Sequence, residues 1–461
     1  MTLLERLRTI PPGRQALCGL KGAICFGDLV AGAEELAPRL GGGRLFLNIA
    51  DPSSAIRFLA AADGTAEAVV LASPALGPEI LAELFSLSGA EVVISDRSDL
   101  DGLPVVAGEG KLELTKRAVA ETSWIMTTSG TTGRPKLVSH QLDSLTRTTR
   151  SDISRGEGQV WGLLYDYTRF AGLQVVLQSL LSGATLVAPP PELPLAERLE
   201  ILVREGCTHL SATPTLWRKI LMTEGHEALT LAQLTLGGEI TDVAVLSALS
   251  RCWPAARISH IFASTEAGVG FSVTDHRAGF PAAFLSDPPL GIGLKVKDGH
   301  LFVRNDLVGT DYLGGQGAFA RDGWVDTGDL VAIEGDRVIF RGRASGVINV
   351  GGDKVHPEEV ERAVLSHPKV RMVRVYAKAN PITGALVAAD IVPAPDVEDG
   401  AALRRELQTY LRQRLERHMV PAFIRIVTDL TSMQLVRCKG DEPNAQRHYH
   451  RCDPRSWPRH G

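Results

Sequence analysis

Three neighbouring stretches decide the fold class: "EAVVLAS" (67–73), "GPEILAELFSLSG" (77–89) and "EVVISD" (91–96). The outer two read as short aliphatic strands, and the middle one as a helix bounded by glycines. Strand, helix and strand within about thirty residues form a βαβ unit, whose sheet needs helices on both faces to bury it. Alternating patterns of this kind run through the first 260 residues. Between roughly 288 and 340 the texture changes to short strands and turns, as in "LKVKDGHLFVRND" and "GDRVIFRGR", which predicts a small β subdomain. After Arg343 it changes again. "HPEEVERAVLSHP" predicts a helix with Pro357 near its start, and "VRMVRVYAK" and "GALVAADIVP" predict strands. "LRRELQTYLRQRLERHMVP" sets Leu403, Leu407, Leu411 and Leu415 on one helical face. The expectation is an α/β chain with a large N-terminal domain of helix-covered sheets (1–343), a small α+β C-terminal domain (344–440) and a polar, disordered tail (441–461).

At 461 residues the chain is long enough for two or three structural units. Its 44% hydrophobic and 22% charged residues are ordinary for soluble globular material, and a formal charge of −4 gives no reason to expect nucleic acid or an anionic membrane as partner. The opening "MTLLERLRTIPPGR" is charged within five residues and does not read as a signal peptide. The most apolar region, Phe170 to Ala188, is broken by Gln174, Gln178, Ser179 and Ser182 and reads as core rather than a membrane span. Six cysteines (18, 25, 207, 252, 438 and 452) form no CxxC pair and read as free thiols of a reducing cytoplasm.

"TTSGTTGRPK" (127–136) carries the first chemical signal. Gly130 and Gly133 let the backbone bring its N–H groups close to an anion. Thr127, Thr128, Ser129, Thr131 and Thr132 add hydroxyl donors, and Lys136 adds a mobile cation. The preceding "SWIM" reads as the end of a buried strand and the following "LVSHQLDSLTRTTR" as a helix, so the loop is expected between strand and helix. It is not GxxxxGK[ST], because the two glycines are three apart and no Ser or Thr follows the lysine.

This loop resembles the phosphate-binding loop of the adenylate-forming superfamily: acyl-CoA synthetases, peptide-synthetase adenylation domains and luciferases. Further matches follow in order from about 120 to 430. "IFASTEAG" (261–268) resembles the segment in which an aromatic residue stacks beside adenine, a threonine meets the α-phosphate and a glutamate holds Mg²⁺, which implies Phe262, Thr265 and Glu266 for those roles, with Ala263 and Ser264 beside the nucleotide. A glutamate after Ser-Thr is otherwise a common helix cap. In "TLGGEI", the resemblance implies that Gly237, Gly238 and Glu239 lie along the adenine edge and the acyl pocket, although an ordinary strand-to-turn junction reads the same way. In "DGWVDTGDL" (322–330), Asp329 resembles the aspartate that accepts from both ribose hydroxyls, and Arg343 in "FRGRASG" the arginine that also reaches the nucleotide. The resemblance implies a C-terminal domain that rotates about a hinge just after Arg343. Ser345 and Gly346 stand there in place of the usual aspartate or lysine. In "NVGGDKVHPEEVE" (349–361), Gly351 and Gly352 would leave room for a pantetheine arm.

The resemblance implies ATP, Mg²⁺ and coenzyme A, and a small carboxylic acid activated to an acyl-adenylate and passed to a thiol. The alternatives are loading of a carrier protein or an amine, and a nucleotide- or adenylate-binding protein with weak chemistry. Asp166 in "YDYTRFAG" is a candidate partner for a substrate ammonium, and Thr168 or Arg169 for the gate of the acid pocket. The chain departs from the family at "TDLTSMQLVRCKGDEPN", where the usual Gly-Lys pair is missing; Arg437 and Lys439 are the nearest cations.

Overall fold

A computed structural model describes residues 1–19, 22–107, 114, 118–128, 136–315, 317–381 and 383–430. Ser129, Gly130, Thr131, Thr132 and Gly133 of the expected phosphate loop lie outside the described residues. So do Arg437, Lys439 and the tail from 441.

Among the described residues the chain forms four sheets. Ala68–Leu71, Pro78–Ser88 and Val92–Ser95 are strand, helix and strand, as the opening stretch predicts. They belong to a six-stranded sheet in which Arg44–Asn48 lies between Val92–Ser95 and Ala68–Leu71, and Ser123–Thr128 follows Ala68–Leu71. An eight-stranded sheet carries Val160–Leu163, His209–Ala212, Gln233–Gly237 and Arg257–Ser264 in parallel, and closes on Gly268–Val273 through an antiparallel pair. One core of buried side chains draws on both sheets and the helix between them, from Leu45 and Trp124 through Leu173 and Leu177 to Trp161 and Leu186. Further cores cover the outer faces, around Phe46 and Leu84 on the first sheet and Trp217 and Leu236 on the second. Phe170–Leu181 is a helix with nine buried residues, so the apolar region is core, and no helix among the described residues is long and apolar enough to cross a membrane.

The β subdomain is an antiparallel sheet in which Trp324–Glu334 pairs with both His300–Arg304 and Arg337–Arg343. Its core is aromatic: Phe271 sits 4.5 Å from Phe280, ring centre to ring centre. A single 3₁₀ turn, Ala344–Gly346, leads from Arg343 into the last sheet, built on Val370–Asn380 and Gly384–Pro393. Leu403, Leu407 and Leu411 of the helix Gly400–Arg412 seal that sheet's core. Leu415 lies beyond the helix end, at the edge of the same core, so the expected four-leucine stripe stops at three.

One element differs from expectation at the point that matters for function. Lys136–His140 is a strand, antiparallel to Ser123–Thr128 with Thr128 opposite Lys136, and the helix after it spans Leu142–Thr146. The phosphate loop therefore links two strands rather than a strand and a helix. Val138, Leu142 and Leu145 are spaced like one helical face, and this mimicked a helix start. Leu137 and Val138 are both fully buried, one towards each side of a sheet covered on both faces, a pattern that periodicity cannot separate from a short helix.

Candidate active site

The "STEAG" segment forms the tip of a hairpin between Arg257–Ser264 and Gly268–Val273, so Glu266 sits in a turn and caps no helix. Ser264 Oγ accepts from the Ala267 amide at 3.0 Å and tightens that turn. Asn305 Nδ2 donates to the Ala267 carbonyl at 2.9 Å, tying the tip to the β subdomain. His140, 125 residues away in sequence, donates from Nε2 to the Thr265 carbonyl at 2.8 Å; its Nδ1 then accepts from Ser144 Oγ at 3.1 Å. Burial pushes the His140 pKa down to about 4, so the ring is neutral and its tautomer is set by these two bonds.

Tyr312 completes this corner. Its hydroxyl donates to Glu266 Oε1 at 3.1 Å, and Lys136 Nζ sits 4.2 Å from the centre of its ring. Burial first, and then the Glu266 carboxylate, raise the phenol's pKa, so Tyr312 stays a donor. Three residues far apart in sequence thus meet: the lysine at the loop's exit, the glutamate of the hairpin tip and a tyrosine of the β subdomain. Tyr312 escaped sequence reasoning because it lies in a turn-rich stretch with no motif around it, and its partner is 46 residues away.

Thr127 and Thr128 end a buried strand. Arg169 Nη1 donates to the Thr127 carbonyl and hydroxyl, both at 3.3 Å, so Arg169 is turned towards the loop rather than into solvent. Thr128 Oγ1 is buried and has no hydrogen-bond partner among the described residues, a vacancy that an oxyanion can fill. Asp166 accepts from the Thr168 amide and hydroxyl at 2.9 and 2.7 Å, which caps a local turn. Phe262 stacks on Phe271 and Phe340, with centroids 5.2 and 5.5 Å away.

Asp329 and Arg343 face each other across their strands, with Arg343 Nε 3.0 Å from Asp329 Oδ1. The Asp329 side chain is 8% exposed. Burial raises its pKa against the opposing pull of Arg343. Among the described residues, no hydrogen bond or ion pair joins this pair to the Lys136–Tyr312–Glu266 corner. Gly342, beside Arg343, has φ +144°, and a Cβ there would lie 2.3 Å from Glu358 Oε2 in the first turn of the helix Pro357–Leu365. Gly351 and Gly352 form the exposed turn of a hairpin in the last sheet.

A cavity of about 590 Å³ opens beside Thr265 and runs along the eight-stranded sheet. Gly237, Gly238, Ala263 and Ser264 line its inner end, and Gly238 turns the chain there at φ +80°. Glu239, next in the chain, accepts from the Thr215 amide at 2.9 Å through one carboxylate oxygen. The helix Phe170–Leu181 contributes Phe170, Gln174 and Gln178, one turn apart, to the opposite wall.

The "AMP-binding enzyme" family model matches residues 45–312, more than half of the chain, and the "AMP-binding enzyme C-terminal domain" model matches residues 359–434. Similar curated proteins include a dimodular nonribosomal peptide synthase of Bacillus subtilis, 26% identical over 65% of this chain and 14% of that protein. A 2-succinylbenzoate–CoA ligase of Salmonella typhimurium is 28% identical over 53% of this chain and 52% of that protein. The chain spans 14% or less of the peptide synthases and gramicidin synthase subunit it first matches. Among solved structures, an o-succinylbenzoate CoA synthetase from Bacillus subtilis in complex with its acyl-adenylate superposes with a TM-score of 0.72, at 20% identity over 93% of this chain and 94% of that one. An ATP-bound RpMatB-BxBclM chimera gives 0.77, at 21% identity over 93% and 96%. These likenesses support the fold.

Proposed function

Because the chain belongs to the AMP-binding enzyme family, we propose that it activates a carboxylic acid with MgATP, releasing pyrophosphate, and transfers the acyl group from the acyl-adenylate to a thiol, coenzyme A first. The observation that carries this is the corner where Lys136, Tyr312 and Glu266 meet at the hairpin tip whose Thr265 opens onto the cavity. A carboxylate resists nucleophilic attack because of its charge; joining it to AMP turns its oxygen into part of a good leaving group. The inner end of the cavity would hold the acid beside Thr265. Thr127, Thr128, Ser129, Gly130, Thr131, Thr132, Gly133 and Lys136 would hold the phosphates, and Asp329 and Arg343 the ribose, with Phe262, Ala263, Ser264, Gly238 and Glu239 along the base.

The residues present fit the nucleotide and its metal. Among the described residues no group of three or more His, Cys, Asp or Glu is placed to bind an ion. Magnesium commonly binds through one or two carboxylates plus phosphate and water oxygens, and Glu266, fixed by Tyr312 through one oxygen, leaves the other for it. Such an ion would neutralise phosphate charge as it develops. Lys136 supplies the cation on the protein side.

Incubation with ATP, Mg²⁺, an acid panel and coenzyme A, followed by mass spectrometry, should show a coenzyme A thioester. A thioester formed only on a pantetheinylated carrier protein would move the acceptor to a carrier. A second reading, a binder of nucleotide with feeble chemistry, draws on the missing Gly-Lys pair; ATP binding without any acid-dependent turnover would favour it.

A further inference from the structure

Strands in the middle of a parallel sheet are usually apolar on both faces. Here three of them alternate. Leu210, Ala212, Leu234, Leu236 and Ile258 point to one face and belong to a single core. The other face carries His209, Gln233 and Arg257 in one row and Ser211, Thr235 and Ser259 in the next, each row in register across the sheet. Both rows line the cavity. A polar face under a helix costs stability unless its groups find partners, and several here are poorly matched. Gln233 to Thr235 and Thr235 to Ser259 are both 3.4 Å apart.

His209 is 9% exposed and stacks on Trp161 at 4.8 Å. Its Nδ1 lies 2.8 Å from Thr208 Oγ1, and Nε2 has no partner among the described residues. Burial pushes its pKa down to about 4, so it is a neutral group with a donor to offer. At the outer end stand Arg150, Arg155 and Arg257, all exposed, with one carboxylate, Asp152, which pairs with Arg155 at 3.2 Å. Arg150 and Arg257 have no carboxylate within ion-pair distance among the described residues. The Arg257 guanidinium is held below its usual range by burial and then by the charge of Arg150, so the two cations face the same space. Gln178 fixes the loop beneath them by exchanging two 3.1 Å bonds with the Arg150 backbone, which leaves that guanidinium uncommitted.

We propose that the acid taken at this site is a dicarboxylate: one carboxylate reacts beside Thr265, the body crosses the hydroxyl row and the Trp161–His209 stack, and the second carboxylate is held by Arg150 and Arg257. This rests on the activation reading above. A simple fatty acid would lay an apolar chain over the hydroxyls and His209 and leave the charge of two arginines unanswered, Arg257 meeting only the Gln233 amide oxygen at 3.3 Å.

The test compares benzene dicarboxylates and α,ω-alkane dicarboxylates with their monoamides, which keep shape and lose one charge. Two readouts are taken: calorimetric binding without nucleotide, and acid-dependent ATP–pyrophosphate exchange. At least one diacid should bind and turn over ten-fold or more better than its monoamide, and Arg150→Gln with Arg257→Gln should bring that ratio close to one. Equal losses for diacid and monoamide would mean that the arginines only steer anions inward, and would overturn the proposal. So would a preference for monoamides, or no binding by any diacid. Diacid binding that depends on the arginines, without exchange, would uphold the dicarboxylate site and sink the activation reading instead. Exchange with monoamides alone would do the reverse.

Discussion

Among the described residues, the Glu266 carboxylate takes one side-chain hydrogen bond, and it comes from Tyr312. Tyr312→Phe keeps the ring under Lys136 and deletes the donor. A hydrogen bond to a charged group contributes about 1.5–3 kcal/mol, so the Mg²⁺ concentration for half-maximal turnover should rise roughly ten-fold or more. Magnesium titration of both proteins checks this, and superimposable curves would assign the metal to another residue. His140 gives a pH signature. It is neutral when folded, with a pKa near 4, and titrates near 6.5 when unfolded. Its contribution is complete above about pH 6.5 and is lost as pH falls towards 4, because protons then favour the unfolded chain. His140→Gln keeps an amide donor for the Thr265 carbonyl and should flatten part of that slope in chemical denaturation. The flattening is partial because His209 and His260 are shifted the same way. An unaltered slope would contradict the depressed pKa of the buried ring.

At the scale of elements, the hairpin Trp324–Arg343 does the positioning. Its register puts Asp329 opposite Arg343, and Gly342 brings Glu358 against the strand. Gly342→Ala adds a Cβ at a conformation side chains rarely adopt and drives it into that carboxylate, with a cost of about 1–3 kcal/mol. Thermal denaturation should show the loss. Wild-type stability would mean that the helix Pro357–Leu365 does not rest on this strand in solution. How far such features were legible depended on how far their cause was local. The βαβ unit at 67–96 and the hairpin "LKVKDGHLFVRND" each follow from a pattern within a few tens of residues. The Lys136 strand was missed because Val138, Leu142 and Leu145 imitate a helix. Tyr312 was invisible because the fold, and no spacing, joins it to Glu266. The polar sheet face was in plain view as "HLSA", "QLTLG" and "RISHI", but only register turns three alternations into one wall.

At the scale of the molecule, the last sheet carries its own core and an ion cluster to match. Asp390, 1% exposed, accepts from Arg374 at 2.9 Å and Arg425 at 2.8 Å. Burial raises its pKa, but these two cations outweigh burial and the net shift is downward. Its stabilisation is therefore present above about pH 4 and fades as pH falls below that. Asp390→Asn removes the carboxylate that Arg374 and Arg425 share. Because Arg425 is half exposed, the cost should fall near the lower end of about 3–5 kcal/mol, and denaturant unfolding of the variant checks it. A loss under about 0.5 kcal/mol would show that the cluster is peripheral.

On the proposed reading, the hairpin tip and the cavity beside it serve one reaction. Its most direct test is exchange of labelled pyrophosphate into ATP, run with the full chain, Mg²⁺ and a carboxylic acid panel. The account predicts label in ATP that requires both the acid and Mg²⁺ and falls at least a hundred-fold in Glu266→Gln, on the scale of about 2.7–4 kcal/mol for one preorganised charge-stabilising group. Label incorporated equally without acid, or at full rate in Glu266→Gln, would contradict it.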